Sequence, residues 1–135
     1  MLEYHVSARR LDSHGSEATT KEARIVLDTD MAGRADAFNP AEMLLASLAA
    51  GILKGTERVI PMLKFDLRDI EVSLRGIRQD SPPMMVRIDY DIVVDTDETD
   101  ARLDLLHRNL QKYGTIMNTL AGATELVGTI RRKDA

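Results

Sequence analysis

Asn39-Pro40-Ala41-Glu42-Met43-Leu44-Leu45-Ala46-Ser47-Leu48-Ala49-Ala50-Gly51-Ile52-Leu53 is the stretch on which the fold turns. Asn39 is a favourable N-cap, and Pro40 suits the first helical turn, where a missing amide proton costs nothing. The pattern predicts a helix from there to about Ile60, with Pro61 as its stop. From Met43 to Leu53 the helix is apolar or small on every side, as expected of a helix enclosed by other elements. Ala46, Ala49, Ala50, Gly51 and Gly55 permit another backbone to come near. Glycine in a helix interior costs about 1 kcal/mol relative to alanine, so Gly51 implies a spatial reason. Either a neighbour packs against it, or a side chain has been removed from a site.

On the N-terminal side, Leu2, Tyr4, Val6 and Ala8 alternate with polar residues, and Ala23, Ile25 and Leu27 do the same after the turn-rich Asp12-Ser13-His14-Gly15-Ser16. These two strands are expected to form a hairpin. On the C-terminal side, Ile70, Val72 and Leu74 make one strand and, after Pro82-Pro83, Val86, Ile88, Tyr90, Ile92 and Val94 make its antiparallel partner. The acidic run Asp95–Asp100 is expected to cap a second helix whose apolar stripe is Leu103, Leu106, Leu110 and Tyr113. Gly114 closes that helix, Thr115 caps a short turn through Leu120, and Leu126, Gly128 and Ile130 form a last strand. The expectation is one α+β domain over residues 1–135, with a mainly antiparallel sheet around one buried helix.

Composition excludes several classes of function. A net charge of -4, with lysine and arginine scattered among acids, leaves no basic stripe for nucleic acid. No apolar stretch approaches the roughly 18 residues needed to span a bilayer, and Met1-Leu2-Glu3-Tyr4-His5 does not read as a secretory signal, so the expected compartment is the cytoplasm. The absence of cysteine removes disulfides, zinc–thiolate sites and thiol nucleophiles. His5, His14 and His107 lack ligand spacing and are expected in surface or packing roles, with no metal site and no cofactor. Asp95–Asp100 lacks the glycine and distal glutamate of a calcium loop. No Ser-His-Asp set, phosphate loop or dinucleotide fingerprint is present.

Two segments carry a family resemblance: Asn39-Pro40 followed by Leu44-Leu45-Ala46-Ser47-Leu48-Ala49-Ala50, and Leu110-Gln111-Lys112-Tyr113-Gly114-Thr115-Ile116-Met117-Asn118-Thr119-Leu120. Together with the order of elements, they resemble the OsmC/Ohr superfamily of osmotically inducible protein C and organic hydroperoxide resistance proteins. The resemblance implies an OsmC-like fold in a domain-swapped homodimer, its sheets wrapped around central helices and its two active sites at the interface. Family members reduce organic hydroperoxides with a peroxidatic cysteine in the first helix and a resolving cysteine before the short later helix. Here those positions are occupied by Gly51, twelve residues after Asn39, and by Gly114. The family's active-site glutamate falls on Ala41, while Glu42, one residue on, points about 100° around the helix. The arginine that stabilises the thiolate corresponds to Arg9 or Arg10.

Attack on a peroxide O–O bond is made by a thiolate held deprotonated by a positive neighbour or helix terminus. Glycine supplies no sulfur, and a methionine thioether cannot turn over through a disulfide. The family's thiol cycle therefore cannot run in this chain. Three functions remain: a redox-inactive homodimer binding a small apolar or peroxide-like ligand lined by Arg10, Glu42, Gly51 and Gly114; an enzyme using a metal, flavin or borrowed thiol; and a purely structural dimer. In the last, Gly51 serves packing and Gly114 is a helix C-cap.

Overall fold

Asn39 opens a helix, α1, that spans Pro40–Leu63. Its N-terminus is a reciprocal capping box: the Glu42 amide donates to Asn39 Oδ1 at 2.8 Å, and the Asn39 amide donates to Glu42 Oε1 at 3.0 Å. Pro61 does not stop the helix, contrary to expectation. It lies in the last turn, and the helix continues to Leu63 before Lys64 turns left-handed at φ 50°. The Phe65 amide then reaches back to the Ile60 carbonyl at 3.0 Å, the six-to-one bond of a Schellman stop. Arg102 completes this end by donating to the carbonyls of Leu63 and Lys64 while its Nε donates to Glu98 at 2.8 Å.

The structure is a computed structural model that describes residues 1–134, and by its internal contacts the chain divides within α1, between Leu44 and Leu45. The N-terminal unit is a three-stranded antiparallel meander of β1 (Ser7–Asp12), β2 (Gly15–Thr20) and β3 (Ala23–Asp28), in that spatial order. Two expectations are corrected here. The first strand begins at Ser7 rather than Leu2, and its partner is β2, so β1 and β3 are not neighbours. The intervening strand Gly-Ser-Glu-Ala-Thr-Thr has no apolar alternation and reads as part of the turn. That turn is tight because Asp12 Oδ1 accepts the amides of His14 and Gly15. Leu2 to Val6 run past the end of β2, tied back by the Thr20 hydroxyl donating to the His5 carbonyl at 2.7 Å.

The C-terminal unit holds β4 (Asp69–Gln79), β5 (Met84–Asp95), α2 (Asp100–Tyr113), α3 (Thr115–Ala121) and β6 (Glu125–Arg132), with sheet order β4-β5-β6. β4 and β5 pair antiparallel as expected, whereas β6 joins β5 in parallel. Parallel neighbours need a crossover, which α2 and α3 provide. The core is built from Ile88, Ile92 and Val94 of β5, Leu103, Leu106 and Leu110 of α2, and one stripe of α1. That stripe is Leu48, Ile52, Thr56 and Val59; Ser47, Ala50, Leu53 and Lys54 are exposed, so α1 is not enclosed on every side within the chain. Tyr113, expected in the apolar stripe of α2, is 44% exposed.

Thr99 is the N-cap of α2. Asp95 and Asp97, expected to serve the same end, instead grip the Arg68 guanidinium at 2.9 and 3.0 Å. The architecture is thus α+β, and no helix among the described residues is long and apolar enough to cross a membrane. Lys64 is a non-glycine residue at a left-handed helix stop, a conformation that costs L-residues about 1 kcal/mol or more. Lys64→Gly is therefore expected to stabilise the protein by about 0.5–1 kcal/mol in urea denaturation, the gain being offset in part by unfolded-chain entropy.

Candidate functional site

Gly51 and Gly114 both lie in the C-terminal unit, and the fold brings them to the same place. Gly51 is in the interior of α1, where a Cβ would stand 3.6 Å from Cβ and Cγ1 of Ile116, an ordinary van der Waals contact. Ile116 is two residues beyond Gly114, in the first turn of α3. Gly114 has φ -78° and ψ 114°, open to any L-residue, so backbone conformation does not require glycine there. Space does: a Cβ at 114 would lie 2.8 Å from the Leu110 carbonyl oxygen and 3.0 Å from Met117 Cβ. Gly114, rather than Thr115, is also the N-cap of α3, its carbonyl accepting from the Asn118 amide at 2.9 Å.

Arg10, Ala41 and Glu42 belong to the N-terminal unit. The Glu42 carboxylate is committed to the capping box, a role signalled by the Asn-x-x-Glu spacing, and Ala41 is exposed. Cross-strand register separates the two arginines. Arg10 pairs with Ser16, and Ser16 with Leu27, while the next pairs along are Ala8 with Ala18 and Ala18 with Ile25. Alternation therefore puts Arg10 on the face of Ala8, Ala18, Ile25 and Leu27. Arg9 shares the opposite face with Glu17 and Val26. Ala8, Ala18, Ile25 and Leu27 of that face, with Phe38 and Met43, wall an almost wholly apolar cleft of about 430 Å³, whose lining includes Arg24 but not Arg10. Neither a hydrogen bond nor an ion pair engages the Arg10 side chain among the described residues.

Composition and spacing place His107 only in a surface or packing role. It is half-buried on α2, and Tyr90 Oη lies 2.7 Å from its Nε2. The signal was its place in the leucine stripe, four residues after Leu103 and three before Leu110. Burial pushes the imidazole below its ordinary value against the opposing pull of Asp104, and burial raises the Tyr90 phenol. His14, in the N-terminal unit, pairs through Nδ1 with Asp30 at 2.7 Å.

The family model for OsmC-like protein matches residues 33–127. The chain belongs to the OsmC-like family. Among solved structures it is similar to an OsmC-like protein from Mycoplasma pneumoniae, with 18% identity, 98% of this chain and 99% of that one covered, and a TM-score of 0.89. An OsmC-like protein of unknown function from Vibrio cholerae aligns with 13% identity over 97% and 100% of the two chains, with a TM-score of 0.83. An organic hydroperoxide resistance protein from Elizabethkingia anophelis gives 14%, 98%, 99% and 0.76 in the same order. No curated protein matches the sequence. At such identities these likenesses establish the fold, and the chain places no cysteine anywhere on it.

The two glycines differ in what they tolerate. Gly51→Ala adds a methyl at contact distance and removes a helix-interior glycine, and is expected to be neutral or to stabilise by up to about 1 kcal/mol. Gly114→Ala meets a backbone carbonyl and is expected to cost about 1–3 kcal/mol. Urea midpoints of the two variants, measured side by side, check the contrast.

Proposed function

We propose that this OsmC-like chain works as a cytoplasmic homodimer that does not run the family's thiol peroxidase cycle. It binds a small, mostly apolar molecule with an anionic end on the open sheet face of its N-terminal unit. The observation that carries the reading is the apolar cleft with Arg10 on the same face. A guanidinium carried on the same sheet face as an apolar wall suits an amphiphile whose tail lies along Ala8, Ile25 and Leu27 and whose carboxylate takes the charge. Val6, Ile25 and Phe38 on or beside this face are 69%, 45% and 53% exposed, an area that favours cover by a second copy and so puts the ligand at the interface. Gly51 and Gly114 enter as the positions where a thiol cycle would need sulfur; Glu42 enters as the cap that fixes the cleft's helical end.

One set of contacts favours the reading as a purely structural dimer. Ile116 stands against Gly51, and Met117 with the Leu110 carbonyl stands against Gly114, so neither glycine faces open space.

A thermal-shift series with fatty acids, their hydroperoxides and lipoyl compounds separates the two readings. A saturable rise in Tm with fatty acids, weakened about tenfold in apparent affinity by Arg10→Ala and untouched by Arg9→Ala, is the expected result. A dimer that shows no shift with any of them supports the structural reading. Turnover of an organic hydroperoxide with dihydrolipoamide is expected at the level of a cysteine-free control protein, and turnover well above it would overturn the redox-inactive assignment.

A further inference from the structure

In the C-terminal unit one polar group is set into the core from the sheet, and its surroundings are arranged around it. Tyr90 and Gly128 are register partners on the parallel strands β5 and β6. A Cβ at 128 would overlap the Tyr90 ring at Cζ, Cε2 and the hydroxyl, so the ring lies across β6 where only glycine leaves room. Lying there, the ring meets α2. Its hydroxyl is 2.7 Å from His107 Nε2, the two rings stand edge-on at 85° with centroids 5.6 Å apart, and Gln111 Nε2 makes a long approach to the same oxygen at 3.5 Å. Tyr90 is buried, and no buried side-chain polar atom among the described residues is left unsatisfied.

We propose that Tyr90, His107 and Gln111 form a proton-operated latch between the sheet and α2, closed while His107 is neutral and loosened when it is protonated, with Gly128 as the recess that lets it close. Gln111 turns its Nε2 toward the tyrosine oxygen, so that oxygen accepts from it and gives its own proton to His107 Nε2, which fixes the imidazole proton on Nδ1. Protonation turns Nε2 into a donor. The hydroxyl then faces two donors, and its proton has no acceptor in a half-buried site, a situation that costs a large part of a hydrogen bond.

The charges around His107 leave the change to the imidazole itself. On α2, Asp104 lies one turn before it and favours protonation, while burial opposes protonation and is the larger effect. Arg108, the next residue, is exposed. On β5 and β6, Asp89 and Asp91 alternate away from Tyr90 and are held by Arg75 and Arg87, and by Arg131. β4 presents Leu74 opposite Tyr90, α3 carries no ionisable side chain, and α1 turns Thr56 and Val59 inward. His107 thus binds its proton more weakly in the folded chain than in the unfolded one. The stability it supports is complete above the ordinary imidazole value of 6.5 and is lost as pH falls from there through the depressed folded value.

Amide hydrogen exchange of the full chain at pH 7.5 and pH 5.5, corrected for intrinsic rates, reads the latch directly. In the wild-type protein, protection within Asp100–Tyr113 is expected to fall at the lower pH by up to about tenfold, the limit set by the single pH unit between 6.5 and 5.5. Protection in β4 should change less. His107→Gln, which keeps an acceptor without a titrating proton, should hold α2 protection constant between the two pH values. Equal wild-type protection at both, or a pH response that survives in His107→Gln, overturns the proposal. Should that variant fail to fold, an NMR titration of the wild-type imidazoles decides: a His107 midpoint below 6.5 supports the latch, and one at or above 6.5 sinks it.

Discussion

The close approach of α2 and α3 to α1 is the constraint on which the C-terminal unit depends. Gly51 and Gly55 sit one turn apart on α1, and the positions their side chains would take are met by Ile116 at 3.6 Å and by Leu110 Cδ2 at 3.2 Å. A residue larger than alanine at either position would push the later helices off the first. Those helices carry the chain from β5 to β6, so the parallel edge of the sheet depends on how closely α1 can be approached. The same approach sets Gly114 against the Leu110 carbonyl. At Gly55 a glycine that looks extravagant by propensity alone is thus the cost of tight helix packing, whereas Gly51 leaves room for a methyl group.

The elements with strong periodicity were legible in the residues. α1, β4, β5, α2 and β6 stand close to where spacing puts them, because apolar alternation of period two or a stripe at helical spacing was present in each. β2 was hidden because its six residues carry no apolar alternation and sit on the meander's middle strand, where backbone pairing on both sides does what side chains do elsewhere. Pro61 misled because a proline disturbs the turn before it, removing the bond its own amide would make to the Glu57 carbonyl, without ending the helix; the helix runs two residues further, and Phe65 and Arg102 take up its last carbonyls. The parallel direction of β6 has no signature in Leu126, Gly128 and Ile130 alone.

The candidate site was legible in part. The convergence of positions 51 and 114 follows from the resemblance, and the structure places both around the start of α3. The choice between Arg9 and Arg10 could not be made from sequence, because strand parity depends on register, and register runs through the hidden β2. Glu42 serves as the cap that its spacing from Asn39 marks, not as a free site carboxylate. A lone histidine carries no ligand spacing, yet the place of His107 among leucines is the sign of a part-buried polar group needing a partner on the sheet.

The parallel pairing of β5 and β6 also bears on how the unit comes together. Thr129 donates to Asp91 across a separation of 38 residues, and two helices, α2 and α3, lie within that span. Before β6 pairs with it, β5 presents an open edge whose alternate residues, Ile88, Ile92 and Val94, are among the most deeply buried of the finished core. An apolar strand with one unpaired edge is a template for foreign strands as well as for its own. Charged residues such as Asp89, Asp91, Arg87 and Arg131, which pair along the outer face of β5 and β6, are of the kind that oppose such foreign pairing.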